Sequence, residues 1–284
     1  GLPPVPMPTQ IEFTSEQVML GGRPVQDIVA GLYAGGNDWT VRRLEFRAPG
    51  STRVSLIGAG GQNPSPDNFK AALSIDSSDP DTLMAWLQGR SDIGYRSQKP
   101  LRLRGDVGIA ADSFAIDNMQ ADLDGGAVEG RVAESHPQAN ASRVEADLKS
   151  ERLDLDAAAA FLRSLAGPQA EWPQEASLSL NVARAISSGQ ELRPLSATLG
   201  YNANTISLER LKIGHSDGIT VEGSGNFDRA NATGKLSLNA GAASFSQLTA
   251  VIAPLAPSAA ARLNAMGEGA GPPRAKHSLH PHKA

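Results

Sequence analysis

Apolar residues recur at every second position in run after run of this chain, and that pattern constrains its fold more than any other feature. Successive side chains of a strand point to opposite faces, so period-2 alternation marks a strand with one apolar face. Leu101, Leu103, Val107 and Ile109 alternate with Arg102, Arg104, Asp106 and Gly108, and Gly105 holds the missing apolar place. Phe114 and Ile116 follow after Ala110-Ala111-Asp112, then Ala121 and Leu123, and Val128 and Val132 resume past Asp124-Gly125-Gly126. Later runs are Leu178-Leu180-Val182, Leu195-Ala197-Leu199-Tyr201, Ile206-Leu208, Ile219-Val221 and Leu236-Leu238, separated by links such as Ser187-Ser188-Gly189. The 29 glycines and 19 prolines in 284 residues, with aromatics at only 5%, suit short strands joined by many turns.

Three places leave the alternation for a helical spacing. Leu83, Trp86 and Leu87 follow Asp81; Ala158, Phe161 and Leu162 follow Asp156; Leu248, Val251 and Ile252 follow Ser246. Each set stands two, five and six residues beyond an Asp or Ser suited to capping free N–H groups, which predicts three short amphipathic helices. An alternating strand precedes each helix, at Ala71-Leu73-Ile75, Val144-Ala146-Leu148 and Leu236-Leu238. The chain therefore reads as a degenerate repeat with units of about 10–90, 100–166 and 175–254, a 1–256 repetitive region, and a polar 257–284 end whose composition predicts disorder. The expected fold class is mostly β: an elongated, curled, repetitive sheet with an apolar inner face and a few short α-helices.

A formal charge of −4, from 26 basic and 30 acidic residues, gives no electrostatic reason for a nucleic-acid partner. Without cysteine the chain has no thiol catalysis, disulfide or thiolate metal site. The i, i+2 acid pairs Asp79/Asp81, Asp122/Asp124 and Asp154/Asp156 share a face if extended, but lack a nearby His or third carboxylate, and fit turns and caps. His136 and His215 are isolated; His277, His280 and His282 sit in the polar end. Gly58-Ala59-Gly60-Gly61 runs into Asn63-Pro64-Ser65-Pro66 rather than a helix, which suits a wide turn better than a phosphate loop. The expectation is no catalytic residue, no metal site and no cofactor.

The strand-to-helix element Leu148-Lys149-Ser150-Glu151-Arg152-Leu153-Asp154-Leu155-Asp156, ahead of an Ala-rich helix, resembles one that recurs in the AsmA family. A strand, turn, strand and glycine element of the same family is resembled three times: from Thr14 through Leu44 to Gly58, from Phe114 to Gly130, and from Ile206 to Gly223. The resemblance spans about residues 10–256. It implies a non-enzymatic segment of a cell-envelope protein, periplasmic and attached to the inner membrane through a part outside this sequence. It also implies lipid binding or transport between inner and outer membrane, or support of outer-membrane assembly. Phospholipid or another lipid, and the remainder of the parent protein, would be the partners.

If the apolar face carries lipid, the candidate lining is Leu103, Val107, Ile109, Phe114, Ile116, Leu178, Leu180, Leu199, Ile206, Leu208, Ile219 and Val221. Ordinary core packing is the alternative for each of them. Arg42/Arg43 and Arg102/Arg104 are candidates for lipid phosphates at a rim, or for solvated strand faces. A structural or adhesive β-repeat surface protein is the other functional reading, and a carbohydrate-active β-helix enzyme with clustered carboxylates the third.

Overall fold

The computed structural model describes residues 5–20, 23–36, 38–58, 68–90, 97, 99–138, 141–166, 173–215, 218–241, 249 and 277–279. Among the described residues 76% lie in strands and there are two short helices, so the fold is mostly β, as the alternation predicts. It divides into two compact units.

The first unit comprises residues 1–124, 128–137 and 158–171. Its strands are β1 (Val5–Leu20), β2 (Arg23–Gly36), β3 (Asp38–Ala48), β4 (Thr52–Gly58), β5 (Asn68–Ser77), β6 (Leu101–Ala110), β7 (Ser113–Leu123) and most of β8 (Gly126–Gln138). Helix α1 (Pro80–Leu87) lies between β5 and β6. Strand order follows chain order, and β1 through β7 pair antiparallel. Antiparallel neighbours can be joined by a short turn, as at Pro49-Gly50-Ser51 between β3 and β4, whereas β5 and β6 are joined through α1.

The second unit comprises residues 125–127, 138–157 and 172–284. It holds β9 (Ala141–Asp154), β10 (Glu175–Ser187), β11 (Gln190–Tyr201), β12 (Thr205–His215), β13 (Thr220–Asp228) and β14 (Thr233–Gly241). A three-residue strand, β15 (His277–Leu279), pairs with β14; the rest of the 257–284 end lies outside the described residues. β9 and β10 run parallel, joined through α2 (Leu155–Ala166), whereas β10 through β15 are antiparallel. A parallel pair cannot be closed by a tight hairpin, and a helix supplies the length of the return.

The two helices start one D-x-D step earlier than the sequence spacing suggests. Asp79 caps α1, its carboxylate accepting from Thr82 N at 3.2 Å and Thr82 Oγ1 at 2.6 Å. Asp154 plays the same part for α2, accepting from the N–H groups of Asp156 and Ala157, both at 3.0 Å. Asp81 and Asp156, expected as caps, instead sit in the first turn and bind the chain elsewhere: Asp81 accepts from Ser97 N, and Asp156 from Ser188 N, each at 2.6 Å. Acidic groups are favoured there by the exposed N–H groups of the first turn. Of the third expected helix, only Thr249 is described; it is helical and buried.

The core of the first unit forms where α1 meets the strand ends. Ala48, Leu83, Met84, Leu101 and Phe161 are buried together, with Phe46, Ile75, Trp86 and Leu123 packed against them. The turn into β4 lies tight beneath α1: Asp79 N donates to Gly50 O at 3.0 Å, and a Cβ on Gly50 would stand 2.3 Å from Asp79 O. With φ at +83°, that position takes glycine on both counts.

Candidate functional site

Hydrogen-bond register carries the apolar positions of one strand mostly onto apolar or small positions of the next. In the first unit one row runs Phe46, Val54, Ile75, Leu103, Ala121; another runs Gly58, Ala71, Val107, Ile116; a third runs Phe69, Ile109, Phe114. Directly opposed residues share a face, so these rows make one apolar face across β3 to β7. In the second unit the rows are Ser150, Val182, Leu195, Ile213, Val221 and, toward the other strand ends, Ala146, Leu178, Leu199, Leu208. The last row there is Val144, Ala176, Tyr201, Ile206, Phe227.

Both faces are sealed at one end and open at the other. Leu101 and Val54 are buried in the first unit, yet Ile109 remains 43% exposed and Phe114 38%. Val182 and Val221 are buried in the second, yet Ile206 is 44% exposed and Leu199 and Phe227 are 38%. In the first unit the described helical residues Leu83, Met84 and Phe161 pack at the end where Leu101 lies.

Eleven of the twelve sequence candidates fall on these faces and separate by depth; Ile219 stands just before β13. Val107, Ile219 and Val221 are buried and belong to the core. Leu103, Ile116, Leu178, Leu180 and Leu208 are half-buried, and Ile109, Phe114, Leu199 and Ile206 are exposed. Phe69 and Phe227 complete the open ends but were not candidates. Phe227 continues the Val221, Gly223, Gly225 alternation, in which glycine stands at two apolar places; a Cβ on Gly223 would lie 2.6 Å from Leu238 Cδ2. The same holds for Gly105, where a Cβ would meet Ile116 Cγ2 at 2.5 Å, so the neighbouring strand's side chain fills the empty place.

The opposite face carries the charges. Arg104 holds both carboxylate oxygens of Asp76 at 3.0 and 2.7 Å, and Arg43 pairs with Glu45 at 2.9 Å. Arg42, the extra residue where β3 bulges against β2, stacks on Tyr33 at 4.9 Å from the ring centre. Hydrogen bonds from Arg193 and Arg184, at 2.7 and 2.8 Å, hold Glu191 down to about 2 from an ordinary 4.5. Because the folded value is the lower one, this contact contributes in full above pH 4.5 and is lost as pH falls through about 2. We expect a carboxyl-carbon NMR titration of Glu191 to centre near that value, to move up in Arg184→Ala and in Arg193→Ala, and to move up in high salt because the cluster is solvent-exposed.

Comparison with protein-family models, with curated proteins and with solved structures finds no match to this chain.

Among the described residues, no group of three His, Asp or Glu side chains is placed to hold a metal ion, and no helix is long and apolar enough to cross a membrane. The acid pairs at the two helix starts are spent on caps and N–H groups. His136 stands exposed, 3.6 Å from Glu134. Residues 59–67, which hold most of the glycine-rich run, lie outside the described residues, as do His280 and His282.

Proposed function

We propose that the apolar face of each unit binds acyl chains, and that the chain is a non-enzymatic, lipid-binding or lipid-conducting segment of an AsmA-like periplasmic protein. The observation that carries this reading is the open end of each face, where large apolar side chains in register on neighbouring strands stay in contact with water. Contiguous exposed apolar surface of this kind marks an interaction site rather than a finished core. Each acyl methylene buried against it is worth about 0.8 kcal/mol, so several suffice to hold a chain reversibly. Binding of this type needs no catalytic residue.

The sequence resemblance to the AsmA family supplies the envelope setting: attachment to the inner membrane through another part of the parent protein, and transport toward or assembly of the outer membrane. A structural or adhesive repeat would gain by closing these faces internally, and their open ends speak against it. The test is organic extraction of gently purified protein followed by mass spectrometry, with a fluorescent fatty acid as a second probe. Co-purified lipid and a saturable rise in probe emission are expected; no extracted lipid together with unchanged emission would end the proposal.

A further inference from the structure

A second site is built on the opposite, charged face of the first unit, at the strand ends nearest α1. There a recess of about 820 Å³ opens across β2 to β6. Arg47, Arg53, Asp76 and Arg102 line it, and they stand directly opposite one another in that order on β3, β4, β5 and β6. Three guanidinium groups thus meet a single carboxylate.

That carboxylate is already engaged from outside the recess, since both oxygens of Asp76 are held by Arg104. Arg47 has Asp27 at 3.3 Å, in a pair whose two side chains are about three-fifths exposed. Glu45, on the same face of β3, is bonded to Arg43 and feels Arg53 only through space. Asp122 lies opposite Arg102 on β7 but does not line the recess. Among the described residues neither Arg53 nor Arg102 forms an ion pair. Arg47 and Arg53 also oppose each other directly, an arrangement of like charges that costs stability unless an anion lies between them.

We propose that this recess binds a phosphate ester. Guanidinium forks match phosphate oxygens two at a time, and arginine gives up hydration more readily than lysine, so the cluster suits an oxyanion rather than a diffuse negative surface. The volume far exceeds that of a phosphate alone, and Pro24, Pro49 and Pro100 provide apolar wall, so the phosphate is carried on a larger organic group. A phospholipid headgroup and a soluble phosphate ester share this chemistry. The site lies on the face opposite the apolar rows and does not depend on their binding lipid.

The experiment uses the whole chain with glycerol 3-phosphate in solution and, separately, with vesicles of phosphatidic acid or of phosphatidylcholine. Arginine Nε NMR signals report occupancy, and Arg53→Gln and Arg102→Gln are the variants. Each variant is expected to weaken binding about tenfold, the cost of one charged hydrogen-bonding partner, and Arg53→Gln is expected to melt no lower than the parent because its direct opposition to Arg47 is relieved. Arg163→Gln, a substitution of an exposed cation on α2 outside the recess, serves as the control and is expected to bind as the parent does. Binding of glycerol 3-phosphate identifies a soluble ester as sufficient; binding of phosphatidic acid vesicles alone identifies the headgroup at a lipid surface. Either supports the proposal. No shift of the arginine signals with any probe, or equal binding by the two variants and the parent, overturns it.

Discussion

Ile109→Asp combined with Phe114→Lys is expected to weaken fatty-acid binding by the first unit about a hundredfold while leaving the unit folded. The two residues are cross-strand partners at the open end of the face and are roughly two-fifths exposed. Losing contact with about four methylenes forfeits about 3 kcal/mol, which is the hundredfold. The substitution is made with opposite charges because two aspartates placed directly across the ladder would repel and destabilise the pair for a reason unrelated to lipid. Both new side chains can reach water from these positions, so far-ultraviolet circular dichroism and the melting temperature should change little. Unaltered probe binding by this variant, with the corresponding double substitution Ile206→Asp and Phe227→Lys also without effect, would remove the open ends from the functional account.

The largest loss of stability is expected from Val221→Asp. Val221 is fully buried in the row that also holds Val182, Leu195 and Ile213, none of whose side chains offers a hydrogen bond. A carboxylate there must either stay ionised without a partner or take up a proton and still lack one, and the penalty exceeds about 4 kcal/mol. Amide hydrogen exchange should then lose protection throughout β10 to β13. Glu222→Gln, one residue further along, should cost within about 0.5 kcal/mol, because Glu222 points to solvent and its contact with Lys212 is a 3.6 Å surface pair. Comparable losses from the two substitutions would show that the face assignment of β13 is wrong.

The contrast between neighbouring residues shows why so much of the fold was legible. Alternation reports the face of each residue directly, so Leu103, Val107, Leu178, Leu180 and Val221 could be placed on the apolar side from sequence. Depth along the strand was not legible. Val107 and Ile109 look alike in the pattern, but one is 4% exposed and the other 43%. The difference arises from where the covering groups fall, and that depends on residues distant in the chain, such as Leu83 and Phe161 above Leu101.

Breaks in parity were visible without being interpretable. Apolar places shift from even to odd numbers between Ile116 and Ala121 and between Leu208 and Leu211, and from odd to even between Val25 and Ile28. Each shift coincides with a bulge, where β7, β12 and β2 carry one residue more than the partner strand. Asn118 and Asp27 take positive φ of 49° and 50° at two of them, a conformation that Asn and Asp tolerate better than most residues. An extra residue returns the following side chains to the apolar face, so the row survives the irregularity.

Local periodicity was enough to place most strands from β5 onward, their faces and two of the helices, though with the helix starts one D-x-D step late, because each of these is written within a few consecutive residues. Three features came from packing instead: the parallel run of β9 and β10, the sealing of one end of each face, and the gathering of Arg47, Arg53 and Arg102 around one recess. They depend on register between strands and on how α1 and Phe161 settle against strand ends, and no local spacing encodes either.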